Sequence, residues 1–154
     1  MELVNYIGTI VPFIPEYLTG KLTMVANYPL NNSDVHLFDL ALKAISKALE
    51  LDHITKESLT TVNVIFTKDG SFSIIEESPT TFGSHCSLAV YALEKLNAVN
   101  NEKFKLVSFI EELVHHYWRI EDETTIKYKV VQIAQMIDPS ITIDLLKEWD
   151  VNGL

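Results

Sequence analysis

Acidic and histidine side chains are concentrated in residues 108–123 of this chain, which read SFIEELVHHYWRIEDE. At about 100° per residue, four of these side chains fall on one stripe of a predicted helix, opposite an apolar side. They are Glu111, Glu112, His115 and His116. Carboxylates and imidazoles suit Zn²⁺ and, as less favoured alternatives here, Fe or Mn. The pattern predicts a divalent metal site on this helix, with His116 among its candidate ligands.

The segment EELVH at residues 111–115 resembles the HExxH helix of the zincin metallopeptidases, with Glu111 at the position of the first zinc-binding histidine. The resemblance implies that His115 ligates zinc and that Glu112 is the general base that activates water. It also implies a third ligand at the start of the next helix. That ligand would be Glu123 or one of the two acidic residues before it.

The glutamate at position 111 departs from the zincin pattern, because the family has histidine there. Each carboxylate ligand adds electron density to a metal and weakens it as a Lewis acid. The resemblance therefore implies either a metal-dependent hydrolase of peptide or amide bonds or an inactive relative of such an enzyme.

Two other interpretations of the same helix stay open. An exposed stripe of charged side chains needs no metal, since pairs such as Glu112 and His116 stabilise a helix by about 0.2–0.5 kcal/mol. The chain would then be a small acidic binding or regulatory module without catalysis, with a protein or peptide partner. Glu112 and His115 also match the ExxH half-motif of di-iron bundles, but those need four long helices, and a β-hairpin is predicted where the bundle should be.

Cys86 is the only cysteine, so an intramolecular disulfide and zinc sites built on several cysteines are excluded. It lies just before a predicted helix, whose N-terminus would lower the thiol pKa and make a better nucleophile. His85, or a histidine of the stripe, would supply the base. The alternative is that Cys86 is a small buried apolar side chain.

Composition limits the partners of this chain. Its 154 residues include 21 acidic and 12 basic side chains, a net charge of −9. Nucleic acid is not an expected partner, because a general nucleic-acid binder needs a basic surface. No run approaches the ~18 apolar residues of a membrane helix, and the N-terminal segment lacks the basic region of a secretory signal. A cytoplasmic protein is expected. Arg119, the only arginine, lies on the acidic stripe, either as an ion-pair partner or as a charge that opposes a metal.

One α+β domain over residues 1–154 is predicted, with a small antiparallel sheet packed by about five helices. A strand at about 21–28 and a β-hairpin at about 60–78, turning at Asp69-Gly70, would form the sheet. The helices are predicted at about 34–51, 87–97, 102–119, 122–137 and 140–149. The third helix carries the stripe and the fourth begins with the acidic turn, so these two helices would position the site.

Overall fold

The computed structural model describes residues 2–75 and 86–154. Within these ranges, five α-helices and two small sheets form a mixed α+β fold, as predicted. The helices are α1 (Asn32–Leu51), α2 (Leu93–Val99), α3 (Glu102–Trp118), α4 (Glu123–Ala134) and α5 (Ile143–Val151). The strands are β1 (Glu2–Leu3), β2 (Leu22–Ala26), β3 (Val62–Thr67), β4 (Ile74–Ile75) and β5 (Ser87–Ala92). None of the described helices is long and apolar enough to cross a membrane.

The larger sheet contains three parallel strands in the order β2-β3-β5. Leu22 of β2 lies opposite Val62 of β3, which in turn lies opposite Ser87 of β5. The prediction of an antiparallel sheet is therefore wrong for the strand at 21–28 and the segment at 60–67, which run parallel. Helix α1 connects β2 to β3, and a crossover of this length returns the second strand in the parallel direction.

The predicted β-hairpin over 60–78 is also wrong, although its turn is present. Gly70 has a φ of +97°, which favours glycine, and its N–H donates to Thr67 Oγ1 at 2.8 Å. Strand β3 already has β2 and β5 as its two neighbours, so it offers no edge to a returning strand. The chain after the turn instead forms β4, which pairs antiparallel with β1. Residues 76–78 of the predicted hairpin lie outside the described residues.

The helix predicted at about 87–97 is wrong in its first half, because Ser87–Ala92 is strand β5. Ala89 and Tyr91 are buried while Leu88 and Val90 are partly exposed, which is the two-residue period of a strand. Helix α2 begins only at Leu93. The other four predicted helices are confirmed, with the fourth ending earlier, at Ala134, and the last beginning later, at Ile143.

Four aromatic rings fix α1 and α3 on one face of the parallel sheet. Phe38 of α1 lies 5.1 Å from Phe66 of β3 and 4.9 Å from Phe109 of α3, measured between ring centroids. The hydroxyl of Tyr91 donates to the carbonyl oxygen of Phe109 at 2.8 Å. Because these rings are almost fully buried, the helix that carries the acidic stripe is held against the core.

A buried ion pair joins the beginnings of α1 and α3. Lys105 Nζ lies 2.9 Å from Asp34 Oδ1, and both side chains are less than a tenth exposed. The ammonium group also donates to Asn97 Oδ1 at 2.5 Å and to Ser33 Oγ at 3.3 Å. Asp34 completes a capping box with Asn31, the N-cap residue of α1. The two helices are thus aligned by charge as well as by apolar packing.

Candidate metal centre

The sharp corner between α3 and α4 determines the geometry of the candidate site. Helix α3 ends at Trp118, and Arg119 adopts the left-handed conformation with φ +54° and ψ +40°. Asp122 then caps α4, since its side chain accepts the N–H of Thr125 at 2.6 Å. The corner returns the chain so that α4 packs against α3.

Glu111, His115 and Glu123 each present one ligand atom, and these atoms all lie within 4.8 Å of one another. Glu111 and His115 are one turn apart on α3, and Glu123 is the first residue of α4. Metal–oxygen and metal–nitrogen bonds are about 2.0–2.2 Å long. The three side chains could therefore share one ion after small rotations.

The ring of His115 is oriented by the corner itself. Its Nδ1 atom lies 2.7 Å from the carbonyl oxygen of Ile120. A carbonyl oxygen accepts hydrogen bonds only, so Nδ1 carries the proton and the lone pair of the neutral ring is on Nε2. Metal-binding histidines are commonly fixed in this way, with one nitrogen donating to a carbonyl and the other binding the ion.

His116 and Glu112 lie outside the cluster of Glu111, His115 and Glu123. The Nε2 atom of His116 lies 2.9 Å from the carbonyl oxygen of Leu88, so this ring connects α3 to β5. Glu112 is exposed, beside Glu111 on α3. Among the described residues, the group that could hold an ion contains neither of them. Glu112 is the chain neighbour of Glu111, one of the candidate ligands, and its role as a general base stays a prediction.

Arg119 contacts the segment that precedes β3. Its Nη2 atom donates to the carbonyl oxygen of Ser58 at 3.3 Å, and the side chain is exposed. The left-handed backbone at this residue ends the helix. The guanidinium group therefore contacts a backbone carbonyl, and its predicted role as a charge that opposes a metal stays a prediction.

Cys86 lies in surroundings that differ from those predicted for it. The residue precedes strand β5, so it does not lie at the N-terminus of a helix as predicted. Its side chain is exposed, so the alternative prediction that it is a buried apolar side chain is wrong. His85 lies outside the described residues.

Several carboxylates lie close together at the cluster. Burial raises the pKa of Glu111, and the nearby carboxylates of Glu112 and Glu123 raise it further, while His115 and Lys127 partly oppose them. Two carboxylates and one neutral imidazole fit a divalent ion such as Zn²⁺. If these three side chains held such an ion, one coordination position would be left open, as in catalytic zinc sites.

A cleft of about 240 Å³ adjoins the cluster between α3, α4 and α5. Glu111 and Glu123 line one side of it, and Lys127 and Asp150, which form an ion pair, line another. The remaining walls are mostly apolar and include Phe104, Val107, Val130, Leu146 and Trp149. A substrate side chain could therefore lie in a cleft of mixed polar and apolar lining next to the candidate ligands.

The sequence did not single out three features of this site. The carbonyl of Ile120 could not be recognised, since its role depends on the backbone conformation of the corner. Lys127 could have been noticed, because it follows Glu123 by one helical turn. Asp150 carries no local signal, because α5 reaches the site only through tertiary packing.

Comparison of the chain with protein-family models, with curated proteins and with solved structures found no match. A functional assignment therefore has to be argued from the site residues.

Proposed function

We propose that this chain is a zincin-like, metal-dependent hydrolase of peptide or amide bonds. The observation that carries the proposal is the convergence of Glu111, His115 and Glu123 within 4.8 Å at the α3–α4 corner. These are the positions at which the resemblance to zincins implies the ligands. Two carboxylates and one imidazole favour Zn²⁺ as the ion, ahead of Fe or Mn.

A bound metal ion and the protein side chains would contribute different parts of the reaction. A bound divalent metal would supply Lewis-acid polarisation of a substrate carbonyl and an easier deprotonation of water. Glu112 would accept the proton of the attacking water and deliver it to the departing nitrogen. The cleft beside Glu111 and Glu123 would hold the substrate side chain next to the bond that is cleaved.

The composition of the chain supports a cellular compartment and a substrate class for this activity. A single cysteine and a net charge of −9 fit the reducing cytoplasm and a peptide or protein substrate better than a nucleic acid. A non-catalytic module that binds metal at this centre is the competing outcome, and hydrolysis separates the two.

The test is hydrolysis of fluorescently labelled casein by the full chain with added Zn²⁺. Wild type should cleave the substrate, whereas Glu112→Gln should bind Zn²⁺ equally well and cleave at least about 100-fold more slowly. Glu121→Gln, an exposed neighbour outside the cluster, is the matched control and should retain both properties.

Two results would contradict the proposal. Wild type that binds Zn²⁺ but cleaves no substrate would favour the non-catalytic module. Cleavage that survives in Glu112→Gln would show that another group removes the proton.

A further inference from the structure

Lys127 lies close to the candidate ligands but is bonded elsewhere. It follows Glu123 by one turn of α4 and lines the same cleft as Glu111 and Glu123. A glutamate and a lysine at this spacing, with the glutamate first, ordinarily form a favourable pair on a helix. Here the ammonium group instead donates a hydrogen bond to Asp150 Oδ2 of α5.

Asp150 is held in place by the packing of α5. The neighbouring Trp149 is buried, and its ring lies edge-on to Phe104 of α3 with the centroids 5.4 Å apart. This contact fixes the end of α5 against α3. The carboxylate of Asp150 is therefore presented to Lys127 by an element that contributes no candidate metal ligand.

The direction of Lys127 matters because its ammonium group and a metal ion would compete for the same oxygen lone pairs. The hydrogen bond that Lys127 donates to Asp150 raises the pKa of Lys127, and the charges of Glu111 and Glu123 add to this effect. A lysine ammonium is charged at neutral pH, so a released Lys127 side chain would pair with the carboxylates of the cluster.

We propose that Asp150 is a positioning residue that holds the Lys127 ammonium away from Glu111 and Glu123, so that both carboxylates remain available to a divalent cation. This inference rests on the proposed function, since it presupposes a metal at the cluster. It adds a residue of α5 to the metal centre without making it a ligand.

Calorimetric titration of the full chain with Zn²⁺ tests this role in a double-mutant cycle. Asp150→Asn should weaken Zn²⁺ binding about 2- to 5-fold, the range of a partly exposed ion pair. In a Lys127→Met background the same Asp150 substitution should leave the affinity unchanged, because no ammonium is left to release. Asp150→Glu should retain the wild-type affinity. Asp144→Asn, an exposed acid on the same helix, should do so as well.

Two results of this titration would overturn the inference about Asp150. An equal loss of affinity in both backgrounds would show that Asp150 acts only as a distant negative charge and would overturn the inference. An unchanged affinity in Asp150→Asn alone would also overturn it. Both results leave the proposed function standing, whereas wild type that binds no Zn²⁺ overturns the proposed function and the inference together.

Discussion

The Nδ1 atom of His115 lies 2.7 Å from the carbonyl oxygen of Ile120, five residues further along the chain. The same corner that provides this carbonyl returns the chain so that Glu123 meets Glu111 and His115. One local structure therefore orients the histidine ring and delivers the third candidate ligand. A change at the corner should affect the metal site even if it alters no ligand.

Substitution of His115 should abolish the stabilisation by zinc, whereas substitution of the neighbouring His116 should lower only the stability of the metal-free protein. Zinc at about 100 times its Kd should stabilise the wild type by about 2.7 kcal/mol, and His115→Ala should lose this stabilisation. His116→Ala should keep it but unfold about 1 kcal/mol more easily without metal, because the bond to Leu88 is lost. Thermal unfolding with and without Zn²⁺ measures both effects. A zinc effect that depends on His116 and not on His115 would contradict the ligand assignment.

Glu111→Gln should stabilise the metal-free protein at neutral pH. Burial and the charges of Glu112 and Glu123 raise the pKa of Glu111, so its ionisation costs the folded state more than the unfolded one. Stability of the wild type is therefore lost as the pH rises through and above the usual range of a glutamate. Glutamine removes this loss.

Melting temperatures in the presence of a chelator check the prediction for Glu111. The gain in Glu111→Gln should be present at neutral pH and vanish below about pH 4, where the carboxyl group is neutral in both states. Added Zn²⁺ should reverse the order, because only the wild type retains the ligand. A variant that is less stable than the wild type without metal would argue against crowding of the carboxylates.

Position 119 should accept glycine at a smaller cost in stability than a β-branched residue. Its φ of +54° lies in the left-handed region, which costs an L-residue about 1–2 kcal/mol and glycine little. Arg119→Gly should therefore be more stable than Arg119→Val by at least about 1 kcal/mol in urea unfolding. Arg119→Gly should bind Zn²⁺ as the wild type does, since glycine accepts the left-handed corner and the guanidinium group contacts Ser58 and not the cluster. A loss of zinc in the glycine variant would place Arg119 in the site.

Lys105→Met should be among the most destabilising single substitutions outside the aromatic core. It leaves the carboxylate of Asp34 buried without its partner, which costs about 3–5 kcal/mol. Lys43→Met removes an exposed ion pair with Asp39 on α1 and should cost about 1 kcal/mol or less. Urea unfolding compares the two variants. Equal costs would show that the buried pair does not align α1 with α3.

The candidate ligands could be predicted from the sequence because their relationship is local. Helical periodicity alone brings Glu111 next to His115, and an acidic turn directly after the helix supplies Glu123. Periodicity could not predict that His116 turns to β5, because Leu88 reaches that ring only through tertiary packing. The choice of Glu123 over Glu121 and Asp122 likewise depends on the corner, where Asp122 is used as the cap of α4.

The pairing of the strands could not be predicted in the same way. Asp69-Gly70 is a genuine turn, but a turn determines a hairpin only if the preceding strand has a free edge. The two sides of β3 are taken by β2 and β5, which lie far from it in the chain. Ser87–Ala92 was predicted as a helix because six residues of mixed apolar character fit either period.

The metal content of the purified protein tests the central claim most directly. After incubation with Zn²⁺ and removal of unbound ions, elemental analysis should find about one equivalent per chain in the wild type. A variant that carries Glu111→Gln, His115→Ala and Glu123→Gln should retain less than about a tenth of an equivalent. Wild type that retains no more zinc than this variant would contradict the claim that Glu111, His115 and Glu123 form a metal centre.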